Sequence, residues 1–404
     1  MRILYLSDVY FPRVNGVSTS ISTFRAELHR LGHVTTLVAP DYGGAGGRDA
    51  QADRIVRVPA RPVPLDPEDR AMSWRALREA LRGLREARFD LVHVQTPFLA
   101  HYAGVRLAWE CQLPCVVTYH TFFAEYFHHY LPMLPDAVSR YVARRMSRNQ
   151  CNAVDTVIVP SSAIAQALRD YGVSRPVEIV PTGLDVGSMA GGDGAAFRTL
   201  HGVPPRRPML LYVGRVAHEK NLDFLLCMFA TVRRQIPAAV LVVCGEGPAL
   251  PHLRRLALDL ALGDAVRFVG YLDRERELPG CYAAADLFVF ASRTETQGLV
   301  LLEALAAGTP VVALAALGTR DVLAGCKGAA VAPDDEHGFA DLVVALLRDP
   351  SRRAALAAAA PSDAAQWAAE TMARRLEVLY ARLVRTAGAR REALRSPRGA
   401  APFG

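Results

Sequence analysis

Short apolar runs of strand length alternate with helical patterns along almost the whole chain, up to about residue 180 and again from residue 209. Strands that alternate with helices in this way form parallel sheets covered by helices on both faces. We therefore expect an α/β protein built from two doubly wound sheets. The predicted strands are Ile3 to Leu6, Val34 to Ala39, Ile55 to Val58, Leu91 to Val94, Val116 to Tyr119, Thr156 to Val159, Met209 to Val213, Val240 to Cys244, Val266 to Val269, Leu287 to Phe290, Val311 to Leu314 and Ala329 to Ala332.

A stretch rich in glycine and proline separates the two halves. At 404 residues the chain is long for one domain and comfortable for two, so we place the domain boundary in this stretch. The predicted organisation is a first domain at 1–185, a linker at 186–206, a second domain at 207–363, a last helix at 364–386 and a disordered basic tail at 387–404. A proline-rich segment, Pro59 to Pro67, is predicted to be a surface loop.

Composition favours a globular protein, with hydrophobic residues at 51% and charged residues at 22%. The longest apolar runs are shorter than the ~20 residues that a membrane-spanning helix needs. The first residues, Met1 to Leu6, are of strand length and no cleavage site follows them, so no export signal is indicated. The seven cysteines include no C-x-x-C pair, which favours neither a disulfide framework nor a zinc site. We expect a reduced cytoplasmic environment and no bound metal.

The net charge of +7 favours polyanionic partners in general, namely nucleic acid, acidic lipid or phosphorylated ligands. Almost all of the positive charge is arginine, because only Lys220 and Lys327 are lysines among 47 basic residues. Lysine offers a compact point charge that the planar guanidinium of arginine does not reproduce. Each lysine is therefore a candidate for a specific role, although chance alone can also leave two of them.

The segment from Ser292 to Pro310 predicts a strand–helix–strand crossover that carries two glutamates. Glu295 lies in the loop before the helix. Glu303 shares the apolar stripe of the helix with Leu299, where a charge is costly unless it has partners. One interpretation of these carboxylates is a buried salt bridge or a helix cap.

The start of the same helix supports a second interpretation. The free amides of Gly298, Leu299 and Val300 favour an anion at this position, whereas carboxylates accept hydrogen bonds from sugar hydroxyls. A ligand with both phosphates and hydroxyls satisfies the amides and the two glutamates together. A nucleotide sugar is therefore the first hypothesis for the ligand.

Further candidates lie at the carboxyl edges of the predicted sheets, where open α/β folds bind ligands. Arg215 and Lys220 follow the first strand of the second half, and two cations there would neutralise a diphosphate leaving group. Taken alone, they would be interpreted as a surface cation pair. Gly16 follows the first strand of the chain and would let a ligand approach the backbone, with a simple turn as the alternative.

His120 ends another predicted strand, and a functional and a purely structural role are equally open for it. The aromatic residues that follow precede arginines at helical spacing, a combination that suits an anionic membrane surface. The alternative is core aromatics beside a solvated helix, and no recognised motif supports nucleic acid. The candidate membrane residues are Phe122, Phe123, Tyr126, Arg140, Arg144, Arg145 and Arg148.

Several motifs together resemble those of the retaining glycosyltransferases of family 4. They are Glu295-x7-Glu303, Gly214-Arg215, Glu219-Lys220, Gly245-Glu246-Gly247-Pro248 and Asn15-Gly16-Val17, and the similarity covers residues 1–385. The resemblance implies the GT-B architecture, in which two Rossmann-like domains face each other across a cleft and the last helix crosses back to the first domain. It also implies a metal-independent reaction without a cofactor, in which a nucleoside diphosphate sugar is the donor.

The resemblance assigns donor roles residue by residue. Arg215 and Lys220 would hold the diphosphate, Glu303 would bind the ribose hydroxyls, and Glu295 would bind the transferred sugar. Gly16 would admit the phosphates from the other side. The remaining donor residues, near the sugar and the phosphates, would be Thr296, Gln297, Gly298 and Leu299.

On the acceptor side, the resemblance implies that His120 lines the transferred sugar. Narrower motifs look like those of bacterial diacylglycerol glycosyltransferases: Val14-Asn15-Gly16-Val17-Ser18, His93-Val94-Gln95-Thr96-Pro97-Phe98, Tyr119-His120-Thr121-Phe122 and Glu295-Thr296-Gln297-Gly298. They imply transfer of a hexose, with a UDP-hexose favoured over a GDP-hexose, to a membrane lipid such as diacylglycerol. The protein would then bind peripherally to the inner face of the membrane.

Other functions remain open at this point. A soluble acceptor such as a sugar phosphate is the second enzymatic hypothesis, and an epimerase is a remote one. A non-catalytic nucleotide-sugar sensor or membrane adaptor is the hypothesis from another class. The sequence leaves the oligomeric state open.

Overall fold

The computed structural model describes residues 1–43, 54–63, 66–120 and 136–395. The chain divides into two compact units, one comprising Met1–Gly183 and the chain from Glu370 onward, the other Leu184–Ala369. Each unit contains one large parallel sheet with helices between its strands. The α/β class and the two doubly wound, Rossmann-like sheets predicted from the alternation are confirmed.

The first unit contains a seven-stranded sheet and a separate hairpin. Its strands are β1 Arg2–Leu6, β2 Val34–Pro40, β3 Arg54–Val58, β4 Ala60–Val63, β5 Asp66–Met72, β6 Leu91–Val94, β7 Cys115–Thr118, β8 Thr156–Val159 and β9 Val177–Ile179. The helices are α1 Gly16–Arg30, α2 Trp74–Leu84, α3 Leu99–Glu110, α4 Asp136–Asn152 and α5 Ser162–Asp170, with a 3-10 turn at Arg85–Ala87. The parallel sheet has the order β3-β2-β1-β6-β7-β8-β9.

The segment from Pro59 to Pro67 includes paired strands, so the prediction of a loop was wrong. β4 and β5 form an antiparallel hairpin in which Pro62 pairs with Arg70. Proline cannot donate to a strand ladder, but each strand of an isolated hairpin has one edge that needs no donor. Proline is therefore compatible with this hairpin.

The C-terminal helix, Ala369–Arg395, supplies part of the hydrophobic core of the first unit. Tyr380 is fully buried and its hydroxyl lies 2.9 Å from the hydroxyl of Tyr5 and 2.5 Å from Nδ1 of His93. Nε2 of His93 lies 2.7 Å from Oγ1 of Thr118. A buried chain of hydrogen bonds thus joins the helix to β1, β6 and β7.

This helix begins at Ala369 rather than at 364, and it continues past residue 386 to Arg395. The prediction of a disordered tail is therefore wrong for residues 387–395, and residues 396–404 lie outside the described chain. Gly388 costs about 1 kcal/mol relative to alanine inside a helix. The surrounding Ala, Arg, Glu and Leu residues favour the helix strongly enough to offset that cost.

The second unit is built in the same way. Its strands are β10 Met209–Val213, β11 Val240–Cys244, β12 Val266–Gly270, β13 Leu287–Phe290, β14 Val311–Ala313 and β15 Ala329–Val331. Its helices are α6 Gly194–Leu200, α7 Leu222–Gln235, α8 Leu250–Asp259, α9 Leu278–Ala283, α10 Leu299–Ala306, α11 Thr319–Leu323, α12 Glu336–Arg348 and α13 Pro350–Ala365, with 3-10 turns at Val186–Met189, His218–Lys220 and Gly263–Ala265. The parallel order is β12-β11-β10-β13-β14-β15.

The linker predicted at 186–206 is instead a folded part of the second unit. It contains a 3-10 turn and α6, and Phe197 is buried in the core. A Cβ atom on Gly192 would lie 2.2 Å from the carbonyl carbon of Pro279, and one on Gly194 would lie 2.6 Å from that of Ala283. These glycines permit close packing against α9, so their composition was misinterpreted as flexibility.

We expect Gly192→Ala to destabilise the protein by roughly 1 to 3 kcal/mol, because the added methyl group overlaps backbone that cannot move like a side chain. Gly187→Ala is the matched control, since its nearest contact would be 3.5 Å from a side-chain oxygen of Asp185. Urea unfolding monitored by circular dichroism measures both changes. Equal midpoints for the two variants would contradict the proposed packing role.

Candidate active site

Strand order reverses once within each large sheet, and ligands bind at such reversals beyond the carboxyl ends of the strands. In the second unit the reversal lies between β10 and β13. The loop after β10 carries Arg215 and the 3-10 turn His218–Lys220, and the loop after β13 carries Glu295. Arg215, Lys220 and Glu295 therefore lie beyond the carboxyl ends of β10 and β13, at this reversal.

Lys220 and Glu295 form an ion pair, with 2.6 Å between Nζ and Oε1. Their side chains are only 18% and 19% exposed. The backbone of Asn221 adopts a left-handed conformation, and its side-chain amide donates to the carbonyl of Ala291 at 3.0 Å. This bond fixes the Lys220 turn against the end of β13 and brings the two charges together.

Arg215 is held differently. Its carbonyl accepts a hydrogen bond from the hydroxyl of Tyr212 at 3.1 Å, whereas its guanidinium is 46% exposed and lies 3.8 Å from Oε1 of Glu219. Burial, followed by the charges of Glu295 and Glu219, raises the pKa of Tyr212 well above its ordinary value. Tyr212 therefore stays a neutral donor, and it anchors the backbone of Arg215 without restricting the charged group.

The start of α10 lies in the same loop region. Gly298 has φ of +92° and provides no side-chain cap for the helix. Gly318 packs on the backbone of Thr296 and donates its N–H to the carbonyl of Glu295 at 2.9 Å. Gln297 is buried beside them. The loop is thus fixed by backbone contacts, and the helix that begins at Leu299 presents amide groups that can bind an anion.

Glu303 lies in the second turn of α10 and is 2% exposed. Its Oε1 accepts from a guanidinium nitrogen of Arg274 at 2.5 Å, and its Oε2 accepts from the hydroxyl of Tyr282 at 2.8 Å. The Glu303 charge raises the pKa of Arg274. This is the buried salt bridge of the first interpretation, and each carboxylate oxygen still has a lone pair for a ligand hydroxyl.

Sequence reasoning missed both partners of Glu303. Arg274 follows β12 at the carboxyl edge of the sheet, which was the one available signal. Tyr282 gives no such signal, because it is a buried residue of the short helix α9. Its proximity to Glu303 depends on how α9 packs.

His120 lies at the carboxyl edge of the first unit's sheet, just after β7. Its Nε2 is 2.8 Å from Oε1 of Gln95, which follows β6. Burial lowers the pKa of His120 to about 4, so the imidazole is neutral at pH 7. Gln95, which lies within one of the quoted motifs but was given no predicted role, contacts it.

Gly16 is the first residue of α1, and a Cβ atom there would meet nothing within 4 Å. The side chain of Asn15 caps the helix by accepting from the amide of Ser18 at 2.8 Å. The surroundings of Gly16 therefore have room for a ligand group beside a helix N-terminus. Whether phosphates approach it stays a prediction.

The four candidate membrane arginines all lie exposed on α4. Arg144 stacks over the ring of Tyr171 at 5.3 Å from its centre. Within the described residues, none of the four forms an ion pair. Phe122, Phe123 and Tyr126 lie outside the described residues.

The described parts of the chain contain no metal cluster and no membrane-spanning helix. There, no group of three or more His, Cys, Asp or Glu side chains is arranged to hold a metal ion. Over the same residues, none of the helices combines the length and hydrophobicity that a membrane span requires.

Comparison with known proteins relates both units to glycosyltransferases. Residues 14–188 match the model for Glycosyltransferase Family 4, and residues 195–363 match that for Glycosyl transferases group 1. An alpha-monoglucosyldiacylglycerol synthase of Streptococcus pneumoniae is 34% identical over 78% of this chain and 71% of its own length. A GDP-mannose-dependent alpha-mannosyltransferase of Mycobacterium tuberculosis is 30% identical over 88% of this chain and 90% of its own.

Solved structures show the same fold. HepE of Anabaena, crystallised with UDP, superposes with a TM-score of 0.74 at 19% identity, over 94% of this chain and all of its own. The GT-B fold predicted from the resemblance is therefore confirmed.

We expect acidification to destabilise the first unit through its buried histidines. Burial lowers the pKa of His101 and of His120 to about 4, against about 6.5 in an unfolded chain. The unfolded state then binds more protons between pH 6.5 and 4, so stability is lost as the pH falls through that window. Urea unfolding from pH 7 to 4.5 measures the slope, and His120→Gln should reduce it by about one proton. An unchanged slope would contradict a neutral His120 with a lowered pKa in the folded state.

Proposed function

Because the chain belongs to the glycosyltransferases of family 4, we propose that it transfers a hexose from a nucleoside diphosphate sugar to a hydroxyl group of a membrane lipid such as diacylglycerol. The observation that carries the donor half of this proposal is the Lys220–Glu295 pair at the strand-order reversal of the second unit. The lipid acceptor is supported by the similarity to the Streptococcus pneumoniae synthase, whose name specifies a diacylglycerol product.

On donor binding, the diphosphate attracts Lys220 and separates it from Glu295. Lys220 and the exposed guanidinium of Arg215 neutralise the charge that grows on the leaving diphosphate. Glu295, released from Lys220, accepts hydrogen bonds from the sugar. Glu303 binds the ribose, using the lone pairs that Arg274 and Tyr282 leave available.

We propose that the reaction retains the anomeric configuration and needs no metal. The bond between the anomeric carbon and the phosphate oxygen breaks, and its electron pair goes to the leaving diphosphate. The acceptor oxygen bonds to the same face of the sugar, and its proton passes to the departing phosphate. Neutral His120 lines the acceptor side of the transferred sugar.

We propose a UDP-hexose as the donor in preference to a GDP-hexose, on the similarity to the diacylglycerol relative. The Mycobacterium tuberculosis relative is named GDP-mannose-dependent, so GDP-mannose is the comparison that the donor assay requires. Labelled UDP-glucose, UDP-galactose and GDP-mannose, each incubated with diacylglycerol, would identify the donor by which label enters the organic phase.

We expect Lys220→Ala to lower kcat at least about tenfold, because it removes a cation from the leaving group. Lys327→Ala is the matched control, since Lys327 is the other lysine of the chain and is exposed. Glu303→Gln should weaken binding of the nucleotide donor, measured by titration calorimetry. Normal turnover with Lys220→Ala and normal donor affinity with Glu303→Gln would remove the proposed site.

The second expectation concerns the membrane. We propose that the α4 arginines attract the protein to the anionic inner face of the membrane. In vesicles of anionic lipid, each basic residue near the surface should contribute about 1 kcal/mol of binding free energy. Replacing Arg140 and Arg145 by glutamine should weaken co-sedimentation roughly thirtyfold. Replacing Arg75 and Arg78, two exposed arginines of α2, is the matched control.

The outcomes separate the hypotheses. Absence of vesicle binding, together with transfer to a soluble sugar phosphate, would replace the lipid acceptor by a soluble one. Donor binding without turnover on any acceptor would instead indicate a non-catalytic sensor or adaptor.

A further inference from the structure

A groove of about 1000 Å³ runs between α3 and α4 in the first unit. Its walls include Tyr102, Val105, Trp109, Val142, Arg145 and Met146. Its volume is at the upper end of the range of roughly 300 to 1,000 Å³ for small-molecule sites. None of the α3 residues was predicted to be functional.

The walls of this groove expose large apolar side chains. Tyr102 is 55% exposed, Trp109 75% and Val142 38%. Single exposed apolar residues are normal on protein surfaces, but a contiguous group that lines a concave surface marks a binding site. These side chains favour an occupant that has an apolar segment.

The groove follows the length of α3, whose 12 residues span about 18 Å. The hydrocarbon core of a bilayer is ~30 Å thick, so one acyl chain extends about 15 Å. The length of the groove thus matches one acyl chain.

The end of the groove near the start of α3 adjoins the His120 region. His101 and Gln150 line both the groove and a small cavity of about 30 Å³ that Gln95 and His120 also line. The side-chain amide of Gln150 donates to the carbonyl of Pro97 at 2.6 Å. The opposite end lies near Gln112, beyond the last turn of α3. The groove therefore leads away from the carboxyl edge of the sheet.

The charges around the groove are mainly positive. Arg106, Arg145 and Arg175 line it, and Asp155 is the acidic residue among the lining side chains. Asp155 accepts from the amide of Cys115 at 2.9 Å, and Arg106 pairs with Glu110. Arg145 has no acidic partner among the residues that the structure describes. Such a rim suits an apolar chain whose surroundings are anionic headgroups.

We propose that this groove binds one acyl chain of the lipid acceptor, with the glycerol end next to His101 and Gln150. The inference rests on the proposed function, because it takes a lipid as the acceptor. The groove adds a specific binding site for the acyl chain of the lipid. Electrostatic attraction of α4 to a membrane surface would not supply such a site.

The test uses Trp109 as a reporter within the groove. Replacing Trp74 and Trp367 by phenylalanine leaves Trp109 as the single tryptophan, and circular dichroism checks the fold. A fatty acid with a brominated chain, added as monomer without vesicles, should quench Trp109 fluorescence in a saturable manner. Val142→Glu should weaken this binding at least tenfold, because it places a charge in the groove.

Val138→Glu is the matched control, since Val138 is an equally exposed valine of α4 outside the groove lining. It should leave the quenching unchanged. In the transfer assay, Val142→Glu should raise KM for long-chain diacylglycerol and leave KM for the donor unchanged. Rescue of KM with a short-chain acceptor would support the groove further.

Quenching that occurs only when vesicles are present would overturn the proposal, because Trp109 would then be merely immersed in the membrane surface. Equal effects of the two valine substitutions would also overturn it. Saturable quenching without transfer to any lipid would leave the groove as a fatty-chain site and would refute the proposed function. Transfer to diacylglycerol without quenching would refute the groove alone.

Discussion

All strands of the two large sheets run parallel, and this constraint determines where each unit can carry a ligand site. Parallel strands return through helices, so every loop at the carboxyl edge follows a strand and every loop at the opposite edge precedes one. The loops diverge only where strand order reverses. Lys220 and Glu295 lie at that position in the second unit, and Asp8 and Thr96 lie at it in the first. Both side-chain oxygens of Asp8 accept hydrogen bonds from the backbone amide of Ala100, near the start of α3.

The second constraint is that carboxylates removed from water need partners. Glu303, which is almost fully buried, has two permanent partners, Arg274 and Tyr282. Glu295 is less buried and pairs with a lysine that has a second predicted role. Glu303 is therefore held as a fixed hydrogen-bond acceptor, whereas Glu295 can exchange its lysine partner for ligand hydroxyls. The two glutamates differ in burial, and this difference separates the fixed carboxylate on α10 from the exchangeable one in the loop before it.

The strands were predictable because both faces of a parallel sheet are covered, which makes each strand a continuous apolar run. The position of Glu303 was predictable for the same kind of reason, since it interrupts an apolar helix. Its partners were not, because Arg274 and Tyr282 reach it from separate elements whose packing has no local signature. The glycines near residue 192 misled the interpretation, since glycine serves close packing as readily as flexibility. The groove was not predicted, because Tyr102 and Trp109 line it only together with residues of α4, and the packing of α4 beside α3 has no local sequence signal.

The buried contact of Tyr380 with Tyr5 and His93 has a consequence for biosynthesis. Domains usually fold as units, in order from the N-terminus while the chain is being made. Here the first unit takes part of its core from the last helix, so its early strands must wait for residues that leave the ribosome only after the whole second unit. The second unit, which is continuous in sequence, can therefore reach its final packing before the first.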